Sequence, residues 1–429
     1  FPAREAEWST VAGWLCPSIE VEGFAWPARL LDMARRALGD IPLDVDLSGL
    51  VAAGRYDAAF ELAARALRTK CDFALEVLAD RHWDMLAVNF VETDRLQRWC
   101  WHLIDRAHPA YRPEVSARYG GSIEQIYVEA DRALARLAAA LQPQDQLLVL
   151  STYGMGVRTG ASTCVPGALE LLGLLQHYGP AGDAWHRLGR LLSAGAGGLW
   201  HLIRRLLPGP LARRLPRSDS SGERASRVER VTGIDYERSI FLPTPGGHIV
   251  INLVGEFPRG HLSPEVAARY VDEIARALAS AIDPANGRQP LEALLRREQV
   301  CSGPYLNRIP HLITRWRPGS VVSGLALTGR DGHVHVVPAH HRHMSSAAPT
   351  SQGILVAAGA GLRRSVRVEG ARLEDVTATV LHLCGQPIPT YFDGRVLHQC
   401  LQPAFLQELP VRRVERDLPK IIDDPARAE

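Results

Sequence analysis

The sequence of 429 residues has almost no lysine and no cluster of basic residues alternating with aromatic ones. Lysine occurs only at Lys70 and Lys420, so arginine carries nearly all of the positive charge, and the formal net charge is only +2. Nucleic-acid-binding surfaces usually combine a concentrated basic patch with aromatic side chains. This composition therefore predicts that nucleic acid is not a partner.

Paired cysteine motifs are also missing. The seven cysteines are odd in number, scattered along the chain and never spaced as C-x-x-C. A disulfide framework and a zinc ribbon both need regular cysteine spacing, so neither is indicated. The pattern fits a reducing compartment, and we expect a cytoplasmic protein.

No stretch approaches eighteen uncharged apolar residues, and the opening "FPAREAEWST" has neither a basic nor an apolar leader-like region. We therefore expect neither a transmembrane segment nor an export signal. Hydrophobic residues make up 46% of the chain and charged residues 22%, which is typical of a folded globular protein.

Strand-like apolar runs alternate with helical patterns along the chain. This alternation favours an α/β sandwich with a largely parallel central sheet and helices on both faces. The predicted strands are 84–91, 146–152, 248–254, 311–316 and 353–361. The predicted helices are 57–81, 93–106, 121–141, 264–282 and 373–384.

The segment 165–227 interrupts the alternation and predicts a helical, Arg-rich insertion followed by a polar linker. Within it, residues 185–217 have apolar side chains such as Trp200 and Leu206 opposite Arg204 and Arg205. Such a helix either binds a membrane surface or a partner, or packs on the main domain with its arginines in water. We favour packing, because apolar stripes on helices usually face a core.

Several passages, in the same order, resemble the type I phosphodiesterase and nucleotide pyrophosphatase branch of the alkaline phosphatase superfamily. Residues 84–111 are similar to its strand followed by T-D-R-x-x-H-x-x-W and H-P-x-Y. Later passages are similar to Y-I-x-I-N-L-x-G-R-x-P-x-G, G-P-Y-L-x-x-x-P-D-L, G-I-L-I-A-x-G-P-G-I-R and D-G-R-V-L. They are "GHIVINLVGEFPRG" (247–260), "SGPYLNRIPHLI" (302–313), "GILVAAGAGLRR" (353–364) and "LEDVTATVLHLCGQPIPTYFDGRVL" (373–397).

The resemblance implies an alkaline-phosphatase-like three-layer sandwich and, for ordinary members, phosphodiester hydrolysis. Two divalent metals, usually zinc, activate a Thr or Ser nucleophile and stabilise the leaving group. Asp and His side chains at fixed positions hold these metals.

The first position is the T-D-R-x-x-H motif, whose Asp and His lie one helical turn apart. Asp94 is present, but Arg98 replaces the His, and a protonated guanidinium has no lone pair for a metal. We expect the two side chains to form an i,i+4 salt bridge, worth about 0.3 to 0.5 kcal/mol on an exposed helix.

The second position is in "LLVLSTYGMG" (147–156), which aligns with the family's V-V-S-D-H-G-M-G. Thr152 and Tyr153 stand where the family has its Asp and His ligands. A neutral hydroxyl and a phenol with a pKa near 10 are poor ligands for zinc at neutral pH. Both side chains remain candidates for the cleft, together with Asp94 and Arg98.

The third position, a late His ahead of "GILVA", is Pro349 in this chain. Residues 1–20 resemble the middle of the family's domain, after the nucleophile helix, so the opening segment with an Asp ligand and the nucleophile is missing from this sequence. We expect that this chain is a fragment, that the protein has lost the segment, or that another chain supplies it.

A histidine cluster is the one feature of the sequence that favours a metal site. "GHVHVVPAHHRHM" contains His335, His340, His341 and His343, and such spacings can bind transition metals. No cysteine or acidic ligand lies beside them apart from Asp331 in an apparent D-G turn. We favour a solvated hairpin loop over a metal site.

The sequence thus predicts a phosphodiesterase-like protein that has lost two-metal hydrolysis and binds a small molecule or a protein partner. No cofactor is expected under this hypothesis. The alternatives are a zinc- or other metal-dependent phosphodiesterase with a rearranged or trans-completed site, and an enzyme that uses the old cleft for non-phosphate chemistry. The expected layout divides the sandwich into 1–164 and 228–400, separated by the insertion 165–227 and followed by a tail, 401–429.

Overall fold

The computed structural model describes residues 9–11, 24–38, 47–80, 82–177, 234–244, 246–257, 259–319, 321–340 and 345–417. Its helices are α1 (Arg29–Leu38), α2 (Leu47–Ala52), α3 (Tyr56–Asp80), α4 (Glu92–Cys100), α5 (Pro113–Tyr119), α6 (Gly121–Ala139), α7 (Val165–Leu171), α8 (Pro264–Ser280), α9 (Arg297–Val300), α10 (Leu373–Leu383) and α11 (Pro403–Glu408). The predicted helical patterns are confirmed in α3, α4, α6, α8 and α10, because apolar residues at helical spacing require one buried face.

The strands are short. They are β1 (Thr10–Val11), β2 (Ala25–Trp26), β3 (Gln146–Ser151), β4 (Gly154–Val157), β5 (Phe241–Pro243), β6 (Ile249–Ile251), β7 (Leu291–Arg296), β8 (Leu312–Trp316), β9 (Gly324–Thr328), β10 (Val334–Pro338), β11 (Ala347–Thr350), β12 (Ile354–Gly359), β13 (Ile388–Pro389) and β14 (Arg413–Val414). They form a four-stranded sheet in the order β5-β6-β8-β7 and several two-stranded ribbons.

The predicted three-layer sandwich with a largely parallel central sheet is wrong. The four-stranded sheet is antiparallel, and β3 pairs antiparallel with β12, as β4 does with β11. Among the described strands, only the two-residue pair of β13 and β14 is parallel. Apolar runs predict that a segment is extended, but they do not determine the direction of its neighbour.

One predicted strand does not form. Residues 84–91 are irregular and lead into α4, and Met85 is 59% exposed. The other predicted apolar runs contain β3, β6, β8 and β12. Residues 84–91 have no strand partner among the described residues. Their apolar composition alone is therefore not enough to form a β-strand.

The chain divides into two compact units. Unit 1 comprises Phe1–Arg158 and His343–Pro419, and unit 2 comprises Thr159–Arg342 and Lys420–Glu429. In unit 1, α3 buries small side chains at helical spacing, among them Ala59, Ala63 and Ala66, in a core shared with α2, α4 and α6. Small residues let neighbouring helices approach closely, which fixes the position of α4.

Helix α4 has two distinct faces. Leu96 and Cys100 are fully buried in the helical core, four residues apart. Asp94 and Arg98, also four residues apart, are less buried and lie on a different face. Leu96 and Cys100 thus anchor the helix in the core, and the same i,i+4 spacing places Asp94 and Arg98 side by side on the other face.

Unit 2 is built on the four-stranded antiparallel sheet. Helix α8 begins after Ser263, whose hydroxyl accepts a hydrogen bond from the Val266 backbone N–H at 3.4 Å, and Pro264 occupies its first turn. Its buried stripe joins a core with residues of the sheet. The stripe consists of Ala267, Val271, Ile274 and Leu278.

Most of the predicted insertion, including the segment 185–217 with its two alternative roles, lies outside the described residues. The first part of 165–227 is described, and α7 buries Val165, Ala168 and Leu169 in the core of unit 2. Among the helices that the structure describes, none has the length and apolar character needed to cross a membrane.

Unit 2 also contains a buried histidine, His311. His311 is 7% exposed, and its Nδ1 accepts a hydrogen bond from the Ile251 backbone N–H at 3.1 Å. Its Nε2 lies 3.0 Å from Oε2 of Glu256, so the ring proton of the neutral tautomer faces that carboxylate. Burial and then the charge of Arg297 lower the pKa of His311, although Glu256 and Glu298 oppose this shift.

We expect the free energy of unfolding to decrease as the pH falls below about 6.5, the pKa of histidine in an unfolded chain. In this range the unfolded state binds a proton at His311 more readily than the folded state does. Urea unfolding at pH 7.5 and 5.5 measures the difference. The variant His311→Asn should show a smaller loss on acidification than the wild type, whereas His333→Asn, in an exposed loop, should not. Equal pH dependence of all three proteins would contradict the expectation.

Candidate functional site

The candidate site is centred on the carboxylate of Asp94. Arg98 donates from Nε to Oδ2 of Asp94 at 3.1 Å and from Nη2 to Oδ1 at 2.8 Å. The Asp94 side chain is 13% exposed and the Arg98 side chain 21%. The i,i+4 salt bridge predicted from the sequence is confirmed, and it has the two-point geometry that planar guanidinium and carboxylate groups prefer.

Tyr153 completes this cluster from another part of the chain. Its hydroxyl donates a hydrogen bond to Oδ1 of Asp94 at 3.1 Å. Burial, and then the negative charge of Asp94, raise the pKa of Tyr153 above its usual value, so the phenol keeps its proton at neutral pH. Although burial lowers it, the hydrogen bond and charge of Asp94 raise the pKa of Arg98 overall.

Thr152 has a different position from its neighbour. It is exposed, and no hydrogen bond joins it to Asp94 or Arg98 in the described part of the chain. The preceding Ser151 hydroxyl donates to the backbone carbonyl of Tyr153 at 2.6 Å, which holds the turn between β3 and β4. Of the two candidates in "LLVLSTYGMG", only Tyr153 reaches the cluster.

The glycines after Tyr153 allow β4 to lie close to β11. A Cβ added at Gly154 would lie 2.7 Å from the Gln352 carbonyl oxygen and 2.8 Å from Oγ1 of Thr350. At Gly156 it would meet the Thr350 methyl group at 3.0 Å. A side chain at Gly154 would therefore force the two strands apart and displace Tyr153.

Strand β11 connects the third predicted ligand position to the same place. Pro349 is exposed and lies opposite Met155 of β4. One residue before β11, the Ser346 hydroxyl donates to the backbone carbonyl of Arg98 at 3.2 Å. The structure thus places Asp94, Arg98, Tyr153 and the strand with Pro349 in one region of unit 1.

Arg158 also belongs to this region, although no motif of the sequence predicted it. Its backbone N–H donates to the Ser346 carbonyl at 3.1 Å, and its Nε donates to the Ser345 hydroxyl at 2.9 Å. Burial and then the nearby charge of Arg98 lower the pKa of Arg158. The only sequence signal was a basic residue directly after the strand that begins with the Gly-Met-Gly turn.

The charges of this region decide its chemistry. Asp94 contributes one negative charge, which Arg98 neutralises, and Arg158 adds a second guanidinium. Both guanidinium groups would repel a divalent cation, and Asp94 is the one carboxylate of this cluster in the described part of the chain. Among the described residues, this arrangement offers several hydrogen-bond donors and an excess of positive charge.

Two members of the predicted histidine cluster, His335 and His340, lie within the described residues. Nε2 of His335 lies 2.8 Å from Oδ2 of Asp331, as expected for a polar hairpin, and the backbone N–H of His340 donates to the Thr163 hydroxyl at 2.9 Å. His341 and His343 lie outside the described residues. Within the described ranges, no three His, Cys, Asp or Glu side chains are grouped closely enough to share a metal ion.

No protein-family model, curated protein or solved structure matches this chain. The resemblance to the type I phosphodiesterases consequently stays a prediction from the quoted motifs.

We expect the Asp94–Arg98 pair to contribute about 1 kcal/mol to stability, between the values typical of exposed and of buried pairs. A double-mutant cycle with Asp94→Asn and Arg98→Ala, followed by urea denaturation, measures this coupling. The matched control is the pair Arg36–Glu76, which is 65% and 40% exposed and joined at 3.1 Å. Its coupling should be less than about 0.5 kcal/mol. The expectation is wrong if the two cycles give the same value.

Proposed function

We propose that the chain is a type I phosphodiesterase-like protein that no longer hydrolyses phosphodiesters and instead acts as a binding protein. The observation that supports this most strongly is the state of Asp94. Its two oxygens accept hydrogen bonds from Arg98 and Tyr153, which stand at the positions of two family ligands. The carboxylate therefore stabilises the fold of the cleft and does not hold a metal ion.

The replacements compensate each other physically. A half-buried carboxylate without a counter-charge is strongly unfavourable, and a bound metal ion normally supplies that charge. Arg98 supplies it permanently, because a guanidinium remains protonated at all physiological pH values. Arg98 in place of the family's His makes a metal ion unnecessary for folding. It also removes one of the ligands that the metal ion would need.

We also propose that the protein works in a reducing compartment such as the cytoplasm. The cysteines of the described residues are unpaired thiols, and Cys71, Cys100 and Cys164 are buried. Burial raises the pKa of Cys100 to about 12, which keeps it an unreactive thiol. The partner that we propose is a small molecule or another protein.

Metal analysis of the purified protein, together with a hydrolysis assay, tests the proposed function. We expect no stoichiometric zinc, manganese or iron, and no hydrolysis of bis(p-nitrophenyl) phosphate above the rate of the buffer with or without added zinc. Two metal ions per chain together with turnover would refute the proposal. The assay needs no knowledge of the natural ligand, because the probe is an activated diester.

We also expect a metal site to return when two ligands are restored. The double variant Arg98→His and Tyr153→His places two imidazoles next to Asp94, and the shorter side chains leave room for an ion. It should bind zinc at least about tenfold more tightly than the wild type, a change of about 1.4 kcal/mol, in a competition titration with a chromogenic chelator.

The matched control for that experiment is Arg98→Gln and Tyr153→Phe, which removes the same native interactions without adding imidazoles. This control should bind zinc no better than the wild type. If both double variants fold and neither gains zinc affinity, the cluster does not occupy a former metal site, and the proposed relation to the phosphodiesterases loses its main support.

A further inference from the structure

Arg158 is a half-buried cation whose charge is not matched by an acidic residue. In the described part of the chain, no carboxylate lies within ion-pair distance of its guanidinium. Its Nε–H donates a hydrogen bond to the hydroxyl oxygen of Ser345. Buried and half-buried charges in folded proteins are normally paired. The pKa of Arg158 is lowered because burial and the nearby guanidinium of Arg98 both oppose its positive charge.

Ser345 fixes the direction of this guanidinium. The Ser345 side chain is buried, and its hydroxyl donates to the Ala347 carbonyl at 3.0 Å while it accepts from Nε of Arg158. The backbone of Arg158 is also held, by its hydrogen bond to the Ser346 carbonyl. Because Nε is occupied and the backbone is fixed, the two terminal nitrogens remain as a pair of donors in a defined orientation.

We propose that Arg158 is the recognition residue of a binding site for a small oxyanion, either a carboxylate or a phosphate monoester. Two terminal N–H donors in one plane match two oxygens of either group, which is the usual geometry of guanidinium recognition. The net charge of Asp94, Arg98 and Arg158 is +1, so the region attracts an anion. Ser345 is a positioning residue, which acts through Arg158 and does not itself touch the ligand.

This inference rests on the proposed function in one respect: the cleft is held by the Asp94–Arg98 salt bridge and needs no metal. If metal ions occupied Asp94, an anion could bind to them directly and Arg158 would not be required. The two ideas therefore make separate predictions. Chelation with EDTA should leave oxyanion binding unchanged, whereas the substitution Arg158→Gln should weaken it at least tenfold.

Isothermal titration of the full chain with inorganic phosphate and, separately, with acetate tests the proposal. We expect saturable binding of at least one probe, reduced at least tenfold in Arg158→Gln and less strongly in Arg158→Lys and Ser345→Ala. The control is Arg364→Gln, which removes an exposed arginine of the same unit and should bind like the wild type. Binding of phosphate alone assigns a phosphate ester, and binding of acetate assigns a carboxylate.

Thermal unfolding provides a second readout that does not depend on the affinity measurement. Phosphate or acetate should raise the melting temperature of the wild type and of Arg364→Gln but not that of Arg158→Gln, because a ligand stabilises only a state that binds it. Without either anion, Arg158→Gln should be at least as stable as the wild type, since it removes an unpaired charge.

Two outcomes overturn the proposal: the wild type binds neither anion, or a folded Arg158→Gln variant binds as well as the wild type. Either outcome leaves the proposed function intact if the protein is free of metal. Binding that disappears with EDTA but persists in Arg158→Gln would instead contradict the proposed function, because the anion would then be bound by a metal ion.

Discussion

The site in unit 1 depends on the need to neutralise one carboxylate. Asp94 lies where little water reaches it, and its charge is acceptable there only because Arg98 binds both of its oxygens. The same carboxylate accepts the Tyr153 hydroxyl, so it joins α4 to the start of β4. The Ser346 hydroxyl then joins the end of α4 to β11. Removing the charge of Asp94 would weaken the helix-to-strand contact as well as the salt bridge.

This single neutralisation also determines what the region can bind. A metal ion needs ligands with free lone pairs, and the Asp94 oxygens are already directed at cationic and phenolic donors. Arg158 then leaves the region with excess positive charge, because no acidic residue of the described chain offsets it. Under the function and the anion site that we propose, the region prefers an anion held by guanidinium groups to a cation held by acidic groups.

Parts of this site could be predicted from the sequence because they depend on local spacing. The salt bridge of Asp94 with Arg98 follows from i,i+4 geometry, and the major helices follow from apolar periodicity. The sheet could not be predicted, because an apolar run looks the same whether its neighbour is parallel or antiparallel, and residues 84–91 form no strand at all. The role that we propose for Arg158 could not be predicted either, since it depends on there being no acidic partner among the described residues, and only the fold reveals this.

In the strand between Tyr153 and Arg158, packing restricts the glycine positions more than the two ends. Gly154 and Gly156 bring β4 close to β11, and their contacts with Thr350 leave no room for larger residues. The residues that flank β4 face no such restriction: Tyr153 meets Asp94, and Arg158 meets Ser345. Backbone geometry and side-chain contacts are thus determined at different positions of this strand. The flanking side chains therefore determine the chemistry of this region, and the glycines determine only where those side chains lie.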